Sequence, residues 1–405
     1  MKRLLIYTSI ALTTVATIIN ISNANQSRPL TDLALQQPFN PHKLHQDLYT
    51  PPPSIQINAA SWILLDYQTG EILSAHNMHA HRKPASLVKI MTAYVVAKAL
   101  ANKSITWDEE VPISEKAWKT GGSKMFLKHG QKVTVKNLMQ GMIVQSGNDA
   151  TIALAQFLAG SEDAFVGVMN HTAQQLGMKN TVFMNASGLP ANKQITSAYD
   201  ISLLARAFIH SYPKVYKLYS QKSFTWNGIV QKNRNTLLSM NPIVDGMKTG
   251  YTREAGYNLV TSAYKDNQRV ISVVLGAPNI KIRTEDSNKL ITYGFRFFTT
   301  KKIYNKGEVV KSVPIANTNE LNQKVSLYLT KPIIVTIPKG SLKYIKPHIK
   351  LKNKLSAPIT EGQILGIFSL SLDGQVIATS PVASNQAYKE ASYFKKITNK
   401  IKSWF

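Results

Sequence analysis

The feature that most constrains the fold is an apolar segment that begins at Pro84 and runs to Leu100. Proline is tolerated in the first turn of a helix, and the apolar body after it predicts a buried α-helix. Ser86 and Lys89 lie in the first turn on one face. Burial lowers a lysine pKa and favours the neutral amine as a base, whereas a lysine reaching out to solvent is the alternative. The free N–H groups and dipole of this turn favour an oxyanion.

Two further motifs follow Ser86-Leu-Val-Lys89: Ser146-Gly-Asn148 and Lys248-Thr-Gly250. The three together provide a nucleophile, a base, a polar group for proton transfer and a cation for a substrate carboxylate. That set suits acyl transfer through a serine ester. Each motif is short enough to occur by chance, and Ser-x-x-Lys begins again at Ser211, Ser262 and Ser392.

The surroundings of each copy favour Ser86. Pro213 lies inside the Ser211 copy, so no helix aligns that pair. The Ser262 copy falls at a turn and the Ser392 copy in a basic tail, while a second Lys-Thr-Gly at Lys119 precedes Ser146.

The segment after Lys248-Thr-Gly250 predicts a β-hairpin. Tyr257–Tyr264 and Val270–Gly276 are strand-like runs separated by the turn residues 265–268. We therefore expect Lys248 at or beside a strand edge, where an extended peptide can pair with it.

The three motifs in this order resemble those of the penicillin-binding serine acyltransferases. The residues that flank these motifs narrow the resemblance to the class C D-alanyl-D-alanine carboxypeptidases. The resemblance extends from about Ile57 to the C-terminus. It rests on Gln145-Ser-Gly-Asn-Asp-Ala150, Asp163-Ala-Phe-Val-Gly167, Asp245-Gly-Met-Lys-Thr-Gly250, Ala255-Gly-Tyr-Asn-Leu-Val260 and Gly294-Phe-Arg-Phe-Phe298. The expected fold class is α/β: a transpeptidase domain of the penicillin-binding and β-lactamase type, with a mixed sheet and helices. A small all-β domain and a C-terminal amphipathic helix follow.

The resemblance implies an activity: removal of the terminal D-alanine from peptidoglycan stem peptides ending in D-Ala-D-Ala, with acylation by β-lactam antibiotics. Ser86 attacks the carbonyl of the penultimate D-alanine and Lys89 takes its proton. Ser146 and Lys248 relay the proton to the leaving amine. The implied substrate-binding residues are Asn148, which also orients Lys89, and Lys248, Thr249, Gly250, Tyr251 and Arg234. The oxyanion hole uses the backbone N–H groups of Ser86 and Tyr251.

At Tyr251 the chain departs from the histidine that many members of the family carry after Lys-Thr-Gly. The backbone N–H of residue 251 is still present as an oxyanion-hole donor. The deacylation rate and its pH dependence are expected to differ from those of members with histidine. Two alternatives share part of the pattern. A β-lactamase shares the acylation step, although no clear Glu is placed to drive deacylation, and a non-catalytic wall-binding protein would retain the motifs with a decayed site.

The pattern along the chain predicts five segments. Lys2 and Arg3 precede an apolar stretch, Leu4–Ile21, and small residues to Ala24, which is typical of a signal peptide over 1–24. A polar linker over 25–56, a catalytic domain over 57–299 and an all-β domain over 300–386 follow. The segment 387–405 places apolar residues on one helical face among lysines, which suits an anionic membrane interface.

Composition narrows the chemistry and the partners. The chain has no cysteine, and its nine histidines show no His-Glu-x-x-His spacing, so neither a thiol nor a zinc peptidase is indicated. We predict no cofactor and no metal. The net charge of +26 favours anionic partners. Export argues against nucleic acid as the partner, which leaves lipid headgroups and wall polymers. Export and the basic amphipathic segment 387–405 together predict peripheral attachment at the periplasmic side of the bacterial inner membrane.

Overall fold

The catalytic domain is built around one antiparallel sheet. The computed structural model describes residues 51–320, 322–352, 354–395 and 398. The sheet has the order β2-β1-β9-β8-β7, with β7 at its edge. Its strands, with two short hairpins, are β1 (Ser61–Asp66), β2 (Ile72–His76), β3 (Glu110–Pro112), β4 (Lys132–Thr134), β5 (Ser223–Trp226), β6 (Ile229–Lys232), β7 (Val244–Thr252), β8 (Gly256–Lys265) and β9 (Gln268–Ala277). The predicted hairpin is β8–β9, and Lys248 lies in the edge strand as expected.

Helices cover both faces of this sheet. They are α1 (Val88–Ala101), α2 (Glu115–Lys119), α3 (Val135–Val144), α4 (Asn148–Ala159), α5 (Glu162–Gln175), α6 (Ala198–Ser211), α7 (Pro213–Tyr216), α8 (Leu237–Met240) and α9 (Ile280–Phe297). Alternate residues of β1 point to opposite faces. Ile63 and Leu65 join the larger core with α1 and α6, while Trp62 and Leu64 pack in a second core with α9.

The second domain is all-β, as predicted. Its strands are β10 (Phe298–Tyr304), β11 (Val309–Pro314), β12 (Lys324–Leu329), β13 (Ile333–Pro338), β14 (Ile345–Leu351), β15 (Ile364–Leu372) and β16 (Gln375–Ser384). Five of them form a sheet in the order β11-β12-β16-β15-β14, and β10 pairs with β13. Hydrogen bonds join the domains, because the Thr300 hydroxyl donates to buried Asp66 (2.6 Å) and Thr69 and Thr336 share a contact of 2.7 Å.

Two expectations about the ends of the chain need comment. The predicted helix over 387–405 began too early, because Tyr388 is buried in the second domain, pairs with Ile359 and precedes non-helical residues. Helix is described at 393–395 and at 398, and the rest of that segment lies outside the described residues, as do the predicted signal peptide and most of the linker. Among the described residues no single helix is long and apolar enough to cross a membrane, although α4 and α5 together meet that composition test as a pair bent by 84°.

Candidate active site

Ser86 lies in a strained turn directly before α1. The sequence predicted an α-helix here, but residues Ala85–Leu87 form a 3₁₀ turn that leads into it. Ala85 has a φ of 50°, in the left-handed region that non-glycine residues rarely adopt. A Cβ atom on Gly188 would lie 1.9 Å from the Ala85 carbonyl oxygen, so only glycine fits opposite this turn. Such strain is typical of functional sites.

Lys89 is held so that its amine faces Ser86. Its Nζ lies 3.2 Å from Ser86 Oγ, 2.7 Å from Asn148 Oδ1 and 2.5 Å from the Ser187 carbonyl oxygen. A neutral amine has two hydrogens and one lone pair. The two carbonyl-type oxygens accept the hydrogens, which leaves the lone pair for the Ser86 hydroxyl.

Burial and neighbouring cations favour this neutral form. Lys89 is only 1% exposed. Burial lowers the pKa of Lys89 well below its usual range, and the positive charges of Lys248 and Arg234 lower it further, against a smaller opposing effect of Asp149. The sequence-based expectation of a desolvated lysine base is therefore supported by both the geometry and the charges.

The Ser146-Gly-Asn148 motif joins α3 to α4. Ser146 has a φ of 66°, lines the cleft, and its buried hydroxyl has no hydrogen-bond partner among the described residues. Both polar atoms of the buried Asn148 side chain are engaged, because its Oδ1 accepts from Lys89 and its Nδ2 donates to the Gly121 carbonyl (2.7 Å). Its expected role in orienting Lys89 matches these contacts, and its contact with the substrate amide stays a prediction.

The edge strand β7 forms the opposite wall. A Cβ atom on Gly250 would lie 3.1 Å from the backbone nitrogen of Ser86, so glycine allows the strand to approach the nucleophile. Thr249, Gly250 and Tyr251 line the cleft. Tyr251 is 54% exposed, and its ring stacks on Tyr257 at 4.3 Å between centroids.

A cluster of cations lies behind and beside this wall. Lys248 is 2% exposed and donates to the Thr249 carbonyl (3.1 Å). Burial lowers the pKa of Lys248 to about 7, and the charges of Arg234 and Arg283 act in the same direction. Both arginines line the cleft, which has a volume of about 450 Å³, and Arg283 Nε is buried with no hydrogen-bond partner in the described part of the chain. Such a cluster favours a carboxylate.

The sequence missed several contributors. Arg283 comes from α9, and Ser123, Thr236 and Tyr257 also line the cleft. Ser123 follows the Lys119-Thr-Gly copy that context excluded, and its loop is held by buried Asp149, which accepts from the backbone N–H groups of residues 125–127. The Ser187 carbonyl was also missed, since backbone acceptors carry no residue-type signal.

A serine in a strained turn, a buried lysine of lowered pKa beside it and a cation cluster at an edge strand define a serine acyl-transfer enzyme. The chain belongs to the D-alanyl-D-alanine carboxypeptidase family of peptidases, whose family description matches residues 46–279. The description "Penicillin-binding protein 5, C-terminal domain" matches residues 298–390. The chain is accordingly a penicillin-binding hydrolase with a carboxypeptidase domain and a β-domain.

Individual relatives agree with this membership. The D-alanyl-D-alanine carboxypeptidase DacA of Escherichia coli is 42% identical over 86% of this chain and 88% of its own length. The structure of penicillin-binding protein 5 from Haemophilus influenzae has a TM-score of 0.78 at 41% identity, covering 84% of this chain and 99% of that one. Penicillin-binding protein D2 from Listeria monocytogenes, in its ampicillin-bound form, has a TM-score of 0.56 at 31% identity over 60% of this chain and 99% of that one.

Proposed function

We propose that this protein removes the terminal D-alanine from peptidoglycan stem peptides through an ester on Ser86. The observation that carries the proposal is the coordination of Lys89. Its Nζ lies within hydrogen-bond distance of Asn148 Oδ1, the Ser187 carbonyl oxygen and Ser86 Oγ. In the neutral amine the first two oxygens accept the two hydrogens, so the lone pair is left for the Ser86 hydroxyl. A base within hydrogen-bond reach of the nucleophile and oriented by further groups is the arrangement that activates a serine.

The proposed reaction follows from the positions of the side chains. Lys89 takes the Ser86 proton as Ser86 Oγ attacks the penultimate carbonyl. Ser146, whose hydroxyl lines the cleft, and Lys248 relay this proton from Lys89 to the departing D-alanine amine. Water then cleaves the Ser86 ester, which releases the shortened peptide and returns the proton to Ser86. Lys248, Thr249, Arg234 and Arg283 attract the terminal carboxylate, and the backbone N–H groups of Ser86 and Tyr251 stabilise the oxyanion. Removal of one such donor typically costs about 3 kcal/mol of transition-state stabilisation.

The residues that line the cleft argue against the β-lactamase alternative. None of those described is Asp or Glu, so no carboxylate is placed there to activate water for rapid deacylation. The complete set of Lys89 contacts argues against a decayed, non-catalytic site.

Covalent labelling with a fluorescent penicillin tests the proposal. We expect Ser86→Ala and Lys89→Ala each to abolish labelling, since the two act as a unit. Ser211→Ala, which removes another Ser-x-x-Lys serine, is the matched control and is expected to label normally. In the parent protein the labelling rate is expected to fall as the pH is lowered, because Lys89 gains a proton. Full labelling of Ser86→Ala would exclude Ser86 as the nucleophile.

The proposal extends to location. The apolar Leu4–Ile21 stretch after Lys2 and Arg3 supports export, and a bacterial wall substrate lies outside the cytoplasm. The lysines and apolar residues of the last segment support peripheral attachment to the periplasmic side of the inner membrane.

A further inference from the structure

A second cavity lies beside the active-site cleft. It has a volume of about 470 Å³ and is formed where β7 turns into β8, near the N-terminal end of β1 and the C-terminal end of β9. Tyr251 and Tyr257 line both the cavity and the cleft, so the two spaces are neighbours on either side of this tyrosine pair. The other polar side chains in the cavity wall are those of Arg82, Lys83, Arg253 and Glu254.

The cavity carries uncompensated positive charge. Lys83 Nζ pairs with Glu254 at 3.3 Å, so these two charges offset one another. Arg253 is exposed and forms no ion pair with any described residue. Arg82 Nη2 donates to the Ala60 carbonyl at 3.3 Å, while its Nε is buried without a hydrogen-bond partner in the described ranges. Two guanidinium groups are therefore available to an anion, and guanidinium geometry suits a carboxylate.

The direction of the substrate along β7 leads into this cavity. The cation cluster around Lys248 attracts the terminal carboxylate, and the Ser86 nitrogen lies next to Gly250. An extended peptide advances about 3.3 Å per residue along an edge strand. The chain upstream of the scissile bond therefore passes Tyr251 and reaches the Arg253 turn after two or three residues.

We propose that this cavity is a second substrate subsite, which binds a carboxylate carried by the stem peptide two or three residues upstream of the scissile bond. The inference rests on the proposed function, because that function sets the direction of the substrate. It makes the enzyme selective for acidic stem peptides through contacts that are separate from those to the terminal carboxylate.

Four peptides ending in D-Ala-D-Ala test the subsite. Two carry Glu or Gln directly before the D-Ala-D-Ala unit, and two carry Glu or Gln one residue earlier. In the parent protein, kcat/KM is expected to favour the Glu peptide at one of these positions by about fivefold, which corresponds to about 1 kcal/mol for a solvent-accessible ion pair. We expect Arg253→Gln to abolish this preference. Lys265→Gln removes one exposed positive charge at the other end of β8 and is expected to keep it. The proposal would be refuted if the parent protein gave equal kcat/KM for the Glu and Gln peptides at each of the two positions. It would also be refuted if the preference for Glu survived in Arg253→Gln.

A second measurement separates this proposal from the proposed function. Acylation by benzylpenicillin reports on Ser86 in each protein. If the parent protein is acylated but shows no preference for the Glu peptides, the proposed function stands and the subsite proposal is refuted. If acylation fails, binding of the Glu and Gln peptides to Ser86→Ala, measured by calorimetry, decides the question. About fivefold tighter binding of the Glu peptide supports the subsite, and equal binding refutes it.

Discussion

Lys248 shows at the scale of a single residue how function costs stability. A lysine with its pKa lowered from its usual range to about 7 is disfavoured in its charged form by the fold, since burial and two arginines oppose the charge. Below pH 7 Lys248 is nevertheless protonated in both the folded and the unfolded protein. The buried charge therefore lowers the free energy of unfolding by its full amount in this range. As the pH rises from about 7 towards the unfolded pKa, the folded protein loses the proton first and the cost disappears.

Lys248→Met is therefore expected to stabilise the protein near neutral pH while activity on carboxylate-ended peptides falls. A gain of about 1 kcal/mol would raise Tm by roughly 2–4 °C. The gain is expected to be largest below pH 7 and to shrink by pH 9, which thermal unfolding of both proteins at pH 6.5 and 9 would measure. An equal gain at both pH values would contradict the assignment of the cost to charge.

The residues that sequence could predict are those whose type and spacing carry the chemistry. Ser86 and Lys89 were predicted because a buried helix turn places them together, and Lys248 because its motif precedes a hairpin. Arg283 was not predicted, since it lies in a charged helical segment and only the packing of α9 on the sheet brings it to the cleft.

At the scale of elements, the geometry of the site depends on how the Ser86 turn is fastened to the sheet. Asn258 in β8 is fully buried. Its Nδ2 donates to the carbonyls of Lys83 (3.0 Å) and Pro84 (3.1 Å), and its Oδ1 accepts from Gly276 N (2.9 Å). One side chain thus joins β8, β9 and the segment that leads to Ser86.

Asn258→Ala is expected to lower both stability and catalysis. It leaves buried backbone groups without partners, at a cost of about 2–3 kcal/mol in the free energy of unfolding. Because the Ser86 turn also loses its support, kcat is expected to fall under conditions where the protein is still fully folded. Denaturant unfolding and kcat would be compared with those of Asn102→Ala, an exposed position at the end of α1. Unchanged kcat in folded Asn258→Ala would show that the turn keeps its shape without this side chain.

Helix α9 offers a matched pair of cations. Arg283 lines the cleft, whereas Lys281 on the same helix is 83% exposed. Arg283→Gln is expected to reduce kcat/KM for a carboxylate-ended peptide by at least about tenfold, because loss of a charge-assisted contact costs about 1.5–3 kcal/mol. The same peptide with a terminal amide should respond much less, and Lys281→Gln should change neither value. Similar losses for both peptides would assign Arg283 a structural role instead.

The sequence predicted the elements better than their arrangement. The β8–β9 hairpin was predicted because its partners are adjacent in the chain and a turn separates them. The pairing of β1 with β9 joins residues about 200 positions apart in the chain. Both faces of β1 are buried, so no alternation of polar and apolar residues indicates which strand lies beside it.

At the scale of the whole molecule, the charge is distributed unevenly. Residues 301–354 contain twelve lysines against Glu308 and Glu320, so much of the basic excess belongs to the second domain. The burial of Tyr388 and Ala391 ties the chain to that domain up to residue 391. The proposed C-terminal membrane-binding segment is therefore expected to begin after Ala391.

Deletion of residues 392–405 is expected to release active enzyme from anionic vesicles while leaving penicillin labelling intact. Each lysine near an anionic surface contributes about 1 kcal/mol, and high salt should weaken binding of the intact protein only in part, since apolar burial remains. Vesicle co-sedimentation measures both effects. Undiminished binding by the shortened protein would assign attachment to another part of the chain.

The central claim is that D-alanine is released through an ester on Ser86. Intact-protein mass spectrometry after rapid mixing with a peptide ending in D-Ala-D-Ala tests it most directly, together with a measurement of free D-alanine. We predict an adduct equal to the peptide acyl group without its last residue, located on Ser86 by peptide mapping, and one D-alanine released per adduct in the first turnover. Release of D-alanine by the Ser86→Ala protein at the parent rate would contradict the account.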